Sequence, residues 1–273
     1  MAKKKKKKKK GGALNVILTL GIIVCIGVMG YSVYRLVSAA LEYKEGENEY
    51  DSLRKYTSEV KRELPGEEKE SAAVSAEDVP QQETVAPPIE VDFTSLKAIN
   101  QDIVGWIYIE ALDISYPVVR GEDNDYYLHR TFEGKDNFSG SIFVEYRNSG
   151  DFSDSNTIVY GHNMKNQSMF GKLKFLKEQN KYMESQYFWI LTPEHNYRYE
   201  MFSMQVTEAD SDVYTLYENP GQEYVDYLNK RHEESEVALP YADFTADSKI
   251  VTLSTCTSND AERFVVQGVQ ISG

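Results

Sequence analysis

Cysteine is scarce in this chain of 273 residues, which contains only Cys25 and Cys256. Cys25 lies in a long apolar run near the N-terminus, and Cys256 lies near the C-terminus in a different kind of sequence. A disulfide between them would tie the apolar run to the C-terminal part and disrupt the separate arrangement of these two segments. The sequence therefore excludes a fold that is stabilised by disulfides. The C-terminal part therefore holds one free thiol, Cys256.

Metal-binding motifs are also lacking. The four histidines occur singly, and neither an HExxH nor a CxxC pattern is present. The acidic stretch at 122–125 lacks the glycine and the terminal glutamate of a calcium-binding loop. The sequence therefore predicts no metal site and no other cofactor.

Acidic residues are absent from the first 41 positions, and all 43 of them lie at or after Glu42. Eight of the 30 basic residues form the unbroken run Lys3 to Lys10. When these and Arg35 are set aside, 21 basic residues remain for the rest of the chain. The net charge of −13 thus hides a far more acidic C-terminal part. Because that part would repel a polyanion, a nucleic-acid partner is excluded.

The longest apolar run occupies residues 14–37 and carries no charge before Arg35. As a helix it is roughly 36 Å long at about 1.5 Å per residue, which is enough to cross a bilayer. A secretory signal cleaved near Ala39 is the alternative, although its apolar region normally has only about 7–15 residues. The lysine run before the anchor and the acidic sequence after it predict a cytoplasmic tail at 1–13 and an extracellular C-terminal part, the topology of a single-pass type II membrane protein.

Residues 38–90 are predicted to be an acidic stalk and linker. Between positions 42 and 90 there are 14 acidic and six basic residues, with few large apolar side chains. The part up to about Leu64 is predicted to continue the helix as a solvated stalk. The part after it is rich in Pro, Glu and Ala and has no period, which is typical of a linker.

The remaining residues, 91–273, alternate short β-branched and aromatic runs with turn clusters, a pattern typical of an all-β sandwich or barrel. The predicted strands are Ile103–Ile109, Tyr116–Val119, Gly140–Tyr146, Thr157–Tyr160, Tyr187–Leu191, Tyr197–Val206, Lys249–Ser254 and Arg263–Ile271. The predicted helices run from an Asp92 cap to about Asn100, from Ser168 to Gln179, and from Asn219-Pro220 to about Glu233.

Cys256 is the candidate nucleophile of this C-terminal domain, with a buried and inert cysteine as the alternative. It lies where an apolar strand gives way to a polar loop, and Arg263 follows nearby. A thiol nucleophile requires a base, for which histidine is the usual choice. His162 follows the apolar run TIVY, so we expect its imidazole at a strand end, where rigid scaffolds present catalytic side chains.

Three segments together resemble a known family. TLSTC at 252–256, ERFVVQG at 262–268 and TIVYGHNMKNQSMFGKL at 157–173 are similar to class B sortases, and the resemblance covers essentially all of 91–273. It implies a mainly β fold, an eight-stranded sortase-type barrel with peripheral helices, preceded here by one transmembrane helix. It also implies a location on the outer surface of a Gram-positive bacterium.

The resemblance assigns roles by matching positions. It implies that Cys256 is the nucleophile, His162 the general acid/base and Arg263 the arginine of the site. The substrate-binding positions that it suggests are Asn124, Leu128, Tyr160, Ser254 and Thr215, with Tyr214 as a further candidate. The residue after the nucleophile is Thr257, where some relatives carry an acid.

The function that the resemblance implies is that of a membrane-anchored cysteine transpeptidase. Such an enzyme cleaves a C-terminal sorting signal, NPxT-like or related, after Thr and joins the protein to an amine of a peptidoglycan stem or cross-bridge. A pilin-polymerising sortase that uses a pilin lysine is an alternative. A hydrolase that only trims sorting signals, and a non-catalytic module that binds peptide or wall glycan, also stay open.

Overall fold

The computed structural model describes residues 12–60 and 85–272, with the backbone alone at 12–14. The chain divides into two compact units, one ending at Glu45 and one beginning at Gly46. The predicted lysine tail, the end of the predicted stalk and most of the predicted linker lie outside the described residues.

The first unit contains the apolar part of the helix α1, Gly12–Leu53. Between Val16 and Leu41 the large apolar side chains of this helix are all more than half exposed. By length and composition the helix can cross a membrane, with a mean hydropathy of 2.4 over its most apolar stretch. A bilayer core accommodates an apolar surface of this kind, whereas water does not.

The second unit begins with the end of α1, which stops at Leu53 instead of continuing to about Leu64. A short 3₁₀ helix follows, and then the strand β1, Thr57–Glu59, pairs antiparallel with β2, Ile89–Val91. Tyr50 and Leu53 are buried, at 5% and 1% exposure. The structure thus differs from the predicted solvated stalk, because these side chains supply apolar contacts and the compact unit begins well before Val91.

The helix α2, Phe93–Ile99, is followed by eight strands. These are β3 Ile103–Ile109, β4 Ile114–Val119, β5 Ile142–Val144, β6 Asn156–Tyr160, β7 Tyr187–Leu191, β8 Asn196–Glu208, β9 Ile250–Cys256 and β10 Glu262–Ser272. They form a closed barrel in the order β10-β8-β7-β3-β4-β5-β6-β9, which confirms the predicted eight-stranded, mainly β fold.

The predicted strands agree closely with the observed ones. Ile103–Ile109 and Tyr187–Leu191 have the predicted bounds, and most of the others differ by one or two residues at an end. The strand predicted at 140–146 is shorter, Ile142–Val144. The reason is Gly140, which has a φ of +56° and donates its N–H to Asn137 in a turn, so the chain becomes extended only after it.

The helices agree less evenly with the prediction. Asp92 caps α2 as predicted, since its carboxylate accepts a hydrogen bond from the N–H of Ser95 at 3.0 Å. The prediction of a helix at 168–179 is wrong over most of that range, because only Phe175–Glu178, α3, is helical. Met169 has a φ of +52°, which interrupts a helix, and turns occupy the residues up to α3. The last helix, α4, is Gln222–Glu233, as predicted apart from its first residues.

Candidate active site

The site lies at one edge of the barrel, where β6 and β9 run parallel to each other. Tyr160 of β6 is paired with Ser254 of β9, and His162 and Cys256 each follow this pair by two residues. Because parallel strands end at the same edge of a sheet, the pairing brings both side chains to one place. Asn163 joins the two chain segments there, since its Nδ2 donates to the Cys256 carbonyl at 2.8 Å.

A cavity of about 240 Å³ opens at this edge. The structure brings together in its lining all the residues that the sequence predicted for the site except Tyr214 and Thr215. The lining residues are Asn124, Leu128, Phe143, Tyr160, Gly161, His162, Ser254, Thr255, Cys256 and Arg263.

His162 is held by the loop between β4 and β5. Its Nε2 lies 2.8 Å from the carbonyl oxygen of Leu128. A carbonyl only accepts, so Nε2 carries the proton in this pair and the neutral ring keeps Nδ1 free for proton exchange. Burial lowers the pKa of His162 below its ordinary value, although the bond to Leu128 works in the opposite direction. The neutral imidazole is therefore the main form at neutral pH.

Arg263 begins β10 and is paired with Cys256 in the antiparallel ladder between β9 and β10. Its Nη1 donates to the carbonyls of Asp260 and Glu262, at 2.8 and 2.9 Å. Within the described residues, both of its hydrogen bonds use this one nitrogen. The guanidinium is thus anchored in the β9–β10 turn beside the thiol.

Glu145 is a residue of the site that the sequence interpretation missed. It is 1% exposed, and its Oε2 accepts hydrogen bonds from Asn124 Nδ2 at 2.7 Å and from Tyr160 Oη at 3.0 Å. Its Oε1 accepts from Arg147 Nε at 2.6 Å. Burial alone would raise the pKa of Glu145, but these three hydrogen bonds hold it below its ordinary value. A single acid in the apolar run SIFVEY is the sequence signal that could have revealed it.

Tyr214, rather than Thr215, contacts the residues of the cavity. The hydroxyl groups of Tyr214 and Ser254 lie 2.8 Å apart, and the Tyr214 ring stacks on that of Tyr160 with centroids 6.2 Å apart. Burial raises the pKa of Tyr214, while the bond to Ser254 opposes that rise. Thr215 is exposed, and its carbonyl accepts a hydrogen bond from Asn156 at 3.0 Å. A role for Thr215 in substrate binding stays a prediction.

A metal site is not found at this edge or elsewhere in the part of the chain that the structure describes, where no group of three or more histidine, cysteine or acidic side chains could hold an ion. The lining of the cavity supplies a thiol, an imidazole and a guanidinium. These three groups together suit acyl transfer, in which a nucleophile, a proton carrier and a donor to the carbonyl oxygen are needed.

The chain belongs to the sortase family, because the sortase domain matches residues 107–271. Sortase B of Listeria monocytogenes is 38% identical over 181 residues, which are 65% of this chain and 73% of that protein. Sortase B of Staphylococcus aureus is 34% identical over 189 residues, 68% of this chain and 75% of that protein. The resemblance to class B sortases is therefore confirmed, and the enzyme is a cysteine transpeptidase that attaches proteins to the cell wall.

Solved structures show the same relationship. Sortase B of Clostridium perfringens has a TM-score of 0.62 and 34% identity, with 66% of this chain and 100% of that chain covered. A substrate complex of Staphylococcus aureus sortase B has a TM-score of 0.61 and 32% identity, with 66% of this chain and 84% of that chain covered. The family acts on proteins with sorting signals and on cell-wall amines, and it is associated with the cell surface.

Proposed function

We propose that Cys256, His162 and Arg263 are the catalytic residues of this transpeptidase and that the 240 Å³ cavity receives the sorting signal. The observation that carries the proposal is the parallel pairing of β6 and β9, which places an imidazole and the one thiol of the barrel unit at the same edge. The non-catalytic alternative requires an inert and buried thiol. Cys256 is instead partly exposed and lines the cavity.

In the first step Nδ1 of His162 takes the proton of the Cys256 thiol, and the resulting thiolate attacks the carbonyl carbon of the signal's Thr. The C–S bond forms and the C–N bond to the next residue breaks, and His162 gives its proton to the departing amine. The signal's N-terminal part is then a thioester on Cys256. A buried imidazole with a lowered pKa gives up this proton readily, because its neutral form is the more stable one.

Arg263 stabilises charge on the carbonyl oxygen as the carbon becomes tetrahedral. A guanidinium stays protonated at any working pH, so Arg263 does not act as a base. Its Nη1 is engaged with the turn, which orients the planar group and leaves Nε and Nη2 to donate to a substrate oxygen. Hydrogen bonds that are already oriented cost little reorganisation when charge develops, which is why such donors accelerate acyl transfer.

In the second step an amine of the cell wall attacks the thioester. Neutral His162 takes the proton from the attacking nitrogen, the C–S bond breaks, and an amide bond replaces it. Water is the competing nucleophile, and positioning of the amine favours transfer, since oriented groups reach effective molarities of about 10⁵ M or more. The same residues thus serve both steps.

The walls of the cavity bind the signal. Asn124 and Tyr160 are held by Glu145, while Leu128 supplies an apolar surface and Ser254 is oriented by Tyr214. An NPxT-like signal has polar side chains, Asn and Thr, at its two ends and a proline next to the Asn. Such a peptide fits this mixture of amide, hydroxyl and apolar groups.

The membrane topology is also part of the proposal. The apolar helix is the anchor, the lysine run lies in the cytoplasm, and the barrel lies outside, as the positive-inside rule predicts. A single-pass type II orientation places the thiol where sorting signals and wall amines meet. Protease added to intact protoplasts removes the barrel in this orientation and leaves the N-terminal tail.

The experiment that tests the function uses the full chain in detergent. It is incubated with LPxT-type and NPxT-type peptides, with and without amine acceptors, and the products are identified by mass spectrometry. We expect cleavage after Thr and, with an amine, a product in which the amine is joined to that Thr. Cleavage with water as the only acceptor identifies a hydrolase, and no cleavage of any peptide contradicts the proposal.

A further inference from the structure

The last turns of α1 present one face to the β4–β5 loop that holds His162. Glu49 and Tyr50 follow Gly46 by three and four residues, so the three share this face of the helix, and all of them are buried. A Cβ built on Gly46 would lie 2.9 Å from the hydroxyl oxygen of Ser139, which is closer than a carbon and an oxygen normally pack. The backbone of the helix therefore lies directly against the loop.

Glu49 is a buried acid, 6% exposed, that binds three groups of this loop. Its Oε1 accepts a hydrogen bond from the Glu133 N–H at 3.0 Å. Its Oε2 accepts from the Thr131 hydroxyl at 3.0 Å and from Lys135 Nζ at 3.2 Å. Burying a carboxylate is costly unless hydrogen bonds replace its water, so these contacts hold the helix and the loop in one arrangement.

The loop folds back on itself, so that residues 127–131 run beside residues 135–141. The N–H of Ser141 donates to the Tyr127 carbonyl, and the N–H of Asn137 donates to the His129 carbonyl, both at 2.9 Å. Leu128 lies between these two hydrogen bonds, and its carbonyl is the acceptor for the catalytic imidazole. The position of that carbonyl therefore depends on how the whole folded loop is held.

The end of α1 holds the folded loop at two separate points. Tyr50 binds one point, where its hydroxyl donates to the Gly140 carbonyl at 2.7 Å. Glu49 binds the other, at the turn that follows Thr131. Leu128 lies between the two points along the loop. Movement of the loop relative to the barrel would thus break contacts with α1 at one point or the other.

We propose that Glu49 and Tyr50 are positioning residues for the catalytic His162. They keep the Leu128 carbonyl within hydrogen-bond distance of Nε2 and so keep the imidazole in the orientation in which it exchanges protons. The inference rests on the proposed function, because it concerns the histidine of that site. A displacement of about 1 Å in such a group costs about 10²-fold in rate, although neither positioning residue touches the substrate.

The test measures the hydrogen bond and the rate in the same proteins. The full chain in detergent contains isotope-labelled histidine, and the NMR signal of the Nε2–H proton of His162 is assigned with His162→Gln. Exchange of this proton with water reports how firmly the Leu128 carbonyl holds it. The kcat of peptide cleavage is measured with a saturating sorting peptide. Glu49→Gln and Tyr50→Phe are compared with Glu47→Gln, which makes the same chemical change at an exposed position of α1.

We expect Glu49→Gln and Tyr50→Phe to keep a cooperative melt, to exchange the Nε2–H proton at least about tenfold faster than the wild type and to lower kcat by about 10–100-fold. Glu47→Gln should match the wild type in all three measurements. An unchanged exchange rate or an unchanged kcat in the folded variants would overturn this inference. Loss of the melt in both variants would also overturn it, because the two residues would then be purely structural.

Failure of the proposed function gives a different result. If the wild type cleaves no sorting peptide, the function is contradicted, while the exchange of the Nε2–H proton still shows whether α1 holds the imidazole. If the wild type cleaves the peptide and the variants change neither exchange nor kcat, only the positioning role is lost.

Discussion

Arg263 lies directly opposite Cys256 in the antiparallel ladder between β9 and β10. The pairing fixes the height of the guanidinium relative to the thiol, and the carbonyls of Asp260 and Glu262 fix the position of its Nη1. Two independent constraints thus orient one side chain. An arginine whose only role is a surface ion pair would require neither the ladder position opposite Cys256 nor the two carbonyl contacts.

Replacing Arg263 with lysine separates geometry from charge. We expect Arg263→Lys to lower kcat/KM for amine-dependent transfer by about 10²–10³, because one ammonium cannot both bind the turn carbonyls and donate to a substrate oxygen. Arg130→Lys is the control, since Arg130 pairs with the exposed Asp136 at 3.2 Å and should tolerate the change. Similar rates in Arg263→Lys and the wild type would remove Arg263 from the site.

The two cysteines provide a matched pair of variants. Cys256→Ala should abolish cleavage and transfer while the cooperative melt of the protein is kept, because the side chain is partly exposed at a strand end. Cys25→Ser on the apolar helix should keep the activity. Loss of the melt in Cys256→Ala would indicate a structural cysteine, and activity within tenfold of the wild type would exclude a nucleophile.

The lowered pKa of His162 predicts a titration below the ordinary value of about 6.5. The folded chain then binds fewer protons than the unfolded chain between the two pKa values, so the free energy of unfolding should fall as the pH is lowered through this range. Imidazole NMR titration, assigned with His162→Gln, measures the pKa directly. The same variant should flatten the pH dependence of stability, whereas a midpoint above 6.5 is incompatible with a buried neutral ring.

Tyr50 connects the end of α1 to the loop that holds His162. Its hydroxyl donates to the Gly140 carbonyl at 2.7 Å and accepts from the Phe132 N–H at 3.2 Å. A Cβ built on Gly140 would lie 2.5 Å from the Leu128 carbonyl oxygen, the atom that His162 contacts. The end of α1 therefore supports the histidine through this loop.

We expect Tyr50→Phe to cost about 1–3 kcal/mol of stability, because two buried backbone groups lose a partner. Denaturant unfolding of a soluble form that begins at Gly46 measures this cost. Tyr56→Phe is the control, since no hydrogen bond of the Tyr56 hydroxyl occurs within the described residues. A soluble form that begins at Val91 should be less stable than one that begins at Gly46, and equal stability of the two forms would show that residues 46–90, with the end of α1 and β1, contribute nothing.

Sequence patterns predicted the barrel well because its strands are made from continuous β-branched and aromatic runs. IVGWIYI and YFWIL, for example, are bounded by polar or turn residues and became strands with the predicted ends. The candidate site was predictable for the same reason, since His162 and Cys256 follow such runs. The closeness of the two residues depends on the parallel pairing of β6 and β9, which no local pattern encodes.

The segment 168–179 shows that a helical spacing of apolar residues can predict a helix where none forms. Phe170, Leu173 and Leu176 are all buried, as the helical spacing requires, but successive turns produce the same inward spacing without a long helix. Glu145 and the end of α1 were missed for another reason. Their importance comes from partners far along the chain, such as Asn124 for Glu145 and Gly140 for Tyr50, and those contacts exist only in the fold.

The acyl-enzyme is the intermediate that tests the central claim most directly. The full chain is mixed with a sorting peptide, quenched in acid, digested and mapped by mass spectrometry. The account predicts that the peptide fragment ending in Thr is attached to Cys256, that the adduct disappears when an amine is added, and that the amide product appears in equal amount. Cleaved peptide with no adduct on Cys256, or an adduct on any other residue, would contradict it.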